Sequence, residues 1–345
     1  MQQNQSDIKS DRLLLYTSYD NSGLVKVLQF LKAHHSEYLS GEDLSEVLKI
    51  SRVAVWKHIK KIQNLGYKIE SKQNLGYRLT GITDLMLPWE ITDGLKTKQL
   101  GKKVYYFDSI DSTQNFAVSI SKNQNEDGTV IISETQKAGK GRQGRTWVSP
   151  KGGIWLSIIL RPSFDVGKVT LMPFAAAVAL SNAIQKTLGI TTELKWPNDL
   201  TLKGKKVAGM IIDASIESTR IESLVLGVGI NFRVDPSQIE KRIRRGPNFY
   251  GVATLVNQKD KSKPANLVQS FLEELEKLLV LFASDKTQII TSQWMKKSST
   301  IGKTISVTIQ DQNISGKAIK LDKDGALVIK QNSRLIRVTT GDVIY

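Results

Sequence analysis

Three glycines, three cations and a tryptophan fall within nine residues, GKGRQGRTW, at positions 139–147. Gly139, Gly141 and Gly144 fit G-x-G-x-x-G, the dinucleotide fingerprint. Gly139, Gly144, Arg145 and Thr146 approach G-x-x-x-x-G-K-[ST], with arginine in the lysine's place. Both signatures hold phosphate on the N–H groups of a helix that follows the glycines directly. Here Pro150, Gly152 and Gly153 leave no room for that helix, so both readings fail. Asp165 lies at a spacing suited to a ribose-binding acid, but stands alone. What remains is a cationic loop. Lys140, Arg142 and Arg145 can gather around a phosphate or carboxylate, the glycines allow close backbone approach, and Trp147 offers a flat face to a base. The plain alternative is a mobile surface loop.

Composition narrows the chemistry further. The 345 residues contain no cysteine and three histidines, two of them adjacent (His34, His35). This excludes disulfides, thiolate metal sites and a cysteine nucleophile, and leaves no metal-ligand spacing. No apolar run is long enough to span a membrane, and the start, MQQNQSDIKSD, lacks the apolar core of a secretory signal, so a cytoplasmic protein is expected. The net charge of +16 favours polyanionic partners. It is spread out: residues 1–82 hold 12 lysines and arginines against 8 acids, residues 83–297 hold 30 against 21, and residues 298–345 hold 7 against 4.

The elements that must position such residues fall into several segments. Residues 1–21 read as a polar, poorly ordered extension. In 22–82, Leu24, Val27, Leu28 and Leu31 share one helical face. Ser40 can cap a second helix, striped by Leu44, Val47 and Leu48. Ser51 can cap a third, which Gly66 can end. On this third helix Val55, Ile59 and Ile62 share a narrow arc, while Lys57, Lys60, Lys61 and Asn64 share another. Residues 51–65 carry four basic side chains and no acid. Tyr67/Ile69 and Tyr77/Leu79 alternate with polar residues as a two-stranded wing would. The order is that of a winged helix-turn-helix, with Ser51, Arg52, Lys57, His58, Lys60 and Lys61 on the DNA side and pairing on two half-sites expected. A protein-binding winged helix, or a merely solvated basic face, is the alternative.

Residues 83–98 read as a short, stiff linker. Residues 99–297 mix short strands with helices: a strand and turn at 103–113, a helix over 115–122, strands at 128–136 and 152–162, a helix over 172–189, two strands around a turn at Lys203–Lys205, a further strand at 221–232 and a long amphipathic helix at 266–282. This is an α+β pattern on a mixed or antiparallel sheet, without doubly wound alternation. Residues 298–345 read as four short strands, a small SH3-like β-barrel too small to stand alone.

With these elements placed, the loop ETQKAGKGRQGRTW resembles the ligand loop of biotin–protein ligases, usually G-R-G-R-x-G-R-x-W. DSTQ precedes it, and KWPNDL, GKKVAGMIID and GVGINF follow in the family's order. With the winged helix in front, residues 22–345 resemble the bifunctional biotin ligase and biotin operon repressor. Lys140 stands where the family has an arginine, and Gln143 where it has a third basic residue. Lysine lacks arginine's planar fork.

The resemblance implies that biotin's carboxylate attacks the α-phosphorus of ATP, giving biotinyl-AMP. The lysine of a biotin carboxyl carrier domain then attacks that anhydride. Positioning and fixed positive charge would supply most of the catalysis. Ser112, Thr113, Gln114 and Gln136 would hold the ureido ring. Lys140, Gly141 and Arg142 would meet the biotin tail and phosphate, and Gly209 would leave room for biotin. Arg142, Arg145, Trp147 and Asn198 would hold the nucleotide. Lys206, with Arg142, would be catalytic. Asp199 would either hold Mg²⁺ with the ATP phosphates or orient the acceptor amine. Structural alternatives stand beside these roles: a helix N-cap for Ser112–Thr113, turn chemistry for WPND, a solvated hairpin lysine for Lys206, and a structural Asn231. The same resemblance suggests operator DNA as a partner, with a homodimer favoured by the adenylate. A lipoate-type ligase and a ligand-sensing repressor without ligase activity are the competing functions.

Overall fold

The computed structural model describes residues 16–17, 23–243, 249–309 and 312–344. The N-terminal segment builds as its sequence pattern dictates. Helices α1 (Gly23–Ala33), α2 (Gly41–Leu48) and α3 (Arg52–Asn64) precede a hairpin of β2 (Lys68–Lys72) and β3 (Gly76–Gly81). The Ser40 hydroxyl accepts from Asp43 N–H and the Ser51 hydroxyl from Ala54 N–H, so both caps satisfy otherwise unpaired donors. Gly66, in the left-handed region at φ 86°, carries the chain out of α3. Leu28, Leu31, Leu44, Val55, Ile59 and Ile62 close the core between the three helices.

The linker is more structured than its sequence suggests. Pro88–Thr92 forms α4, and Met86, Leu87 and Ile91 are almost fully buried. Its Glu90 accepts from Tyr67 Oη and pairs with Lys32 at 2.7 Å, while Trp89 Nε1 donates to Tyr67 Oη at 2.7 Å. Burial, reinforced by the Glu90 charge, pushes the Tyr67 phenol far above its usual range and keeps it a neutral donor. Asp84, at 2.7 Å from Lys263 and 3.0 Å from Arg233, ties the linker's other end to the next segment.

The central sheet is mixed. The strands are β1 (Tyr16–Thr17), β4 (Val104–Ile110), β5 (Val130–Gln136), β6 (Ile154–Leu160), β7 (Glu193–Lys195), β8 (Asp199–Leu202), β9 (Lys205–Glu217) and β10 (Arg220–Ile230). Their order is β1-β4-β5-β6-β10-β9-β8-β7, with β4–β5 parallel and the other pairs antiparallel. Between them run α5 (Thr113–Ile120) and α6 (Met172–Leu188). Beyond β10 come α7 (Pro236–Glu240), α8 (Pro264–Ala283) and α9 (Gln288–Lys296). Helix α6 packs on α8, α9 and the sheet, and its run Ala175–Ala177 lets those backbones approach closely. The apolar helical run Val166–Leu188 is core, with 67% of its most apolar window buried.

Three expectations need correction here. Residues 193–217 form three strands rather than two, because a tight turn at Trp196–Asn198 brings β7 back onto β8 before the Lys203 turn. Tyr16 and Thr17, expected within a disordered extension, pair with Tyr106 and Tyr105 at the sheet edge; the rest of residues 1–22 lies outside the described residues. The last strand expected in the C-terminal segment is two. There β11 (Thr304–Ile309), β12 (Gln312–Leu321), β13 (Leu327–Gln331), β14 (Arg334–Val338) and β15 (Asp342–Ile344) make an antiparallel sheet ordered β14-β13-β12-β11-β15. Gly341, at φ 134°, redirects the chain between β14 and β15, which lie at opposite edges.

Candidate active site

A cavity of about 510 Å³ opens over the ends of β5, β6, β9 and β10. It gathers the ligand-loop residues with Ser112–Gln114, Gln136, Asn198, Asp199, Lys206 and Gly209, which lie far apart in the chain. Lys140, Arg142, Arg145, Lys195 and Lys206 line it against two carboxylates, Asp199 and Asp342, so it is a positive concavity suited to a polyanion.

The loop itself is a closed hairpin. Lys140 and Thr146 bridge, Gly141 N–H donates to Arg145 O at 2.7 Å, and Trp147 N–H donates to Gly139 O at 2.8 Å. Gln143 and Gly144 turn the tip at φ 54° and 71°. A side chain at Gly139 would lie 2.4 Å from Trp147 O, so only glycine permits this closure. An extended segment follows the loop, as the rejection of both phosphate signatures requires.

One end of the cavity is neutral and rich in hydrogen bonds. Ser112 caps α5, its hydroxyl accepting from Asn115 N–H at 3.4 Å. Thr113 donates from N–H (2.9 Å) and hydroxyl (3.1 Å) to Gln136 Oε1. Gln136 Nε2 donates to Ser149 Oγ at 2.9 Å. Gln114 Nε2 donates to Asp213 Oδ2 (2.9 Å) and Val225 O (3.0 Å), while Ser157 Oγ donates to Gln114 Oε1 (2.9 Å). Gly227 makes room for that amide: a Cβ there would sit 2.5 Å from Gln114 Oε1.

The other end is charged. Lys206 Nζ lies 2.6 Å from Asp199 Oδ1, and Tyr250 Oη donates to Asp199 Oδ2. Arg142 Nη1 donates to Asn198 Oδ1 at 3.1 Å, and Asn198 Nδ2 donates to Met210 O at 2.6 Å. Both ends of the Asn198 amide are thus engaged, and it holds Arg142 over the cavity. Burial pulls the Arg142 guanidinium below its ordinary value. Arg145, by contrast, is exposed and pairs with Asp342 of the C-terminal sheet and with Gln143. Asn231 donates to Lys206 O at 3.4 Å, a structural placement.

Gly209 does not hold open space. A Cβ on it would lie 3.0 Å from Trp147 Cζ3 and 3.2 Å from Asp199 Oδ1 and Lys206 Cε. A Cβ on Gly229 would lie 2.5 Å from Trp147 Nε1. The two glycines form a flat floor on which the indole rests, with Lys206 Nζ 5.0 Å from the ring centroid.

Comparison with known proteins places the chain in a family. Residues 106–231 match the model of the biotin/lipoate A/B protein ligase family, residues 24–78 an HTH domain, and residues 300–345 the biotin protein ligase C-terminal domain. The bifunctional ligase/repressor BirA of Bacillus subtilis is 32% identical over 311 residues, covering 89% of this chain and 94% of that protein. The chain belongs to the bifunctional biotin ligase/repressor family. The Escherichia coli member is 28% identical over 314 residues, covering 91% of this chain and 94% of its own. The biotin protein ligase of Aquifex aeolicus, solved in complex with biotin and ATP, shares the fold at TM-score 0.58 and 24% identity, over 70% of this chain and 97% of that one.

Within this family member, several cavity residues escaped sequence reasoning. Lys195 is 5% exposed, its Nζ 3.4 Å from the Tyr250 ring centroid, and burial pushes its pKa down to about 8. Its cross-strand pairing with Asp199 would have followed from a three-strand reading of 193–217. Ser157, a lone polar residue in the apolar run IWLSIIL, was a visible signal. Tyr250 and Asp342 carried none, since only the tertiary fold brings them here. On helix α3, Arg52, Lys57, Lys60 and Lys61 face outward with Ser51 at the cap. His58 does not join them. Its ring is half-buried, and a Cβ on Gly23 of α1 would lie 2.7 Å from its Nε2; burial, with Lys61 adding repulsion, lowers its pKa.

Proposed function

We propose that this protein condenses biotin with ATP to biotinyl-AMP, transfers biotin to a lysine of a biotin carboxyl carrier domain, and represses biotin genes through its winged helix. The observation that carries the reading is one cavity lined both by neutral amides and hydroxyls (Thr113, Gln114, Gln136) and by cations (Arg142, Lys195, Lys206). In the first step a carboxylate oxygen of biotin bonds to the α-phosphorus and pyrophosphate leaves. Arg142, Lys206 and Lys195 supply fixed positive charge where negative charge collects. In the second step the acceptor amine attacks the acyl carbon, and AMP departs with the bridging oxygen. Thr113, Gln114 and Gln136, held by Ser157 and Ser149, orient the ureido ring, and Trp147 borders the adenylate.

Among the described residues no three potential metal ligands cluster. A dedicated cation cage therefore does not fit. Mg²⁺ would enter on the ATP phosphates, with Asp199 as its protein ligand, as this hard ion commonly does. Dimerisation fits the edge of β9 beyond Met210, which among the described residues has no strand beside it on the β8 side. Exchange of pyrophosphate into ATP tests the enzyme. Dependence on biotin supports it; dependence on lipoate moves the substrate. Absence of exchange with either, alongside ligand-dependent DNA binding, leaves a sensor. Sedimentation with and without biotinyl-AMP tests the dimer, and equal association constants refute its coupling to the adenylate.

A further inference from the structure

Helix α3 presents more than cations. Val53 is 62% exposed and Trp56 is 51% exposed, both large apolar side chains outside the domain core. At roughly 100° per residue, Val53 falls between Lys57 and Lys60 at the centre of the outward face, with Trp56 beside it. Val55, Ile59 and Ile62, on the opposite side, are fully buried. The helix thus has an apolar pair in the middle of a basic rim of Arg52, Lys57, Lys60 and Lys61, with no acid between residues 51 and 65. Exposed apolar groups of this size carry a solvation cost unless a partner covers them. The rim identifies that partner as a polyanion. Duplex DNA is a polyanion that also offers apolar groups in its major groove, the thymine C5-methyls. Cations on phosphates set register but carry no sequence information.

We propose that Val53 and Trp56 are the specificity-determining residues of α3, packing against thymine methyl groups in the major groove while the surrounding lysines hold the phosphates. The inference rests on the DNA-binding reading of the winged helix and assigns its sequence choice to two apolar side chains.

The test uses the full-length protein with biotin and ATP. A preferred site is selected from a random duplex library, then remade with deoxyuridine in place of each thymine, which deletes one methyl at a time. Wild type should lose about fourfold affinity at each contacted methyl. Trp56→Ala and Val53→Ala should lower the ratio of specific to non-specific affinity by about tenfold and should no longer respond to deoxyuridine at their own positions. The salt dependence, set by phosphate contacts, should be unchanged. Biotin-dependent pyrophosphate exchange at the wild-type level reports that the catalytic segment is folded, and the unchanged salt dependence reports that the winged helix still presents its lysines. Selective binding in which both variants keep the wild-type ratio and deoxyuridine has no effect overturns the inference while leaving DNA recognition intact. Failure of wild type to enrich any sequence overturns the DNA-binding reading together with it.

Discussion

Glu134 is a buried carboxylate with little to hold its charge. It lies on β5, two residues before Gln136, and is 6% exposed. Met86 N–H reaches it only at 3.5 Å. Burial outweighs that bond, the Tyr106 hydroxyl and attraction from Lys151, and Asp108 repels it further, so its pKa rises from 4.5 to about 7. Because the folded value exceeds the unfolded one, the native chain binds the extra proton between those limits. The favourable contribution is complete below pH 4.5 and is lost as pH rises through 7. Holding the ionised group in the fold then costs about 3 kcal/mol, at about 1.4 kcal/mol per pH unit. Glu134→Gln keeps the shape and removes the charge. The variant should match wild type in melting temperature near pH 5 and exceed it at pH 8.5 by on the order of 5–10 °C. Thermal unfolding followed by circular dichroism across pH 5–8.5 measures the difference. Parallel curves for the two proteins over that range would refute the assignment of a strained charge at this position.

Lys206→Ala should slow biotin-dependent pyrophosphate exchange by about 10²–10³-fold with an almost unchanged far-UV spectrum; near-normal exchange would remove Lys206 from the mechanism. Lys195→Met should raise KM for ATP about tenfold or more, the scale of one lost charge-assisted contact, and leave KM for biotin unchanged; equal effects on both substrates would mean that its role is packing. Gly229→Ala should displace Trp147 from its floor, because a methyl cannot lie 2.5 Å from the indole nitrogen. The expected signs are altered tryptophan emission and loss of adenylate formation, and wild-type emission would show that the indole does not rest there.

The sequence disclosed those features that local rules control. Ser40, Ser51 and Ser112 stand where cap geometry needs a hydroxyl, and each accepts the expected backbone N–H. Pro150, Gly152 and Gly153 were enough to reject a phosphate helix, and the chain there makes a turn that leads into β6. The misses share one cause, which is that their determinants are non-local. The third strand in 193–217 depends on a tight turn at 196–198 that pairs β7 with β8, and the short apolar-polar run there does not signal a strand by itself. His58 lies among cations in the sequence, yet its ring packs against Gly23, 35 positions away in the chain, where a Cβ would lie 2.7 Å from its Nε2. Gly209 was expected to leave room for biotin; that it and Gly229 also make the floor under Trp147 shows only once the indole is placed. Asp342 meets Arg145 only after the C-terminal sheet has docked beside the loop. Motif order locates a site because each motif brings its own strand end with it. What the cations do there depends on which partners the fold delivers: a carboxylate from β15 makes Arg145 a latch to another segment, while an amide from the Pro197 turn makes Arg142 a charge aimed into the cavity.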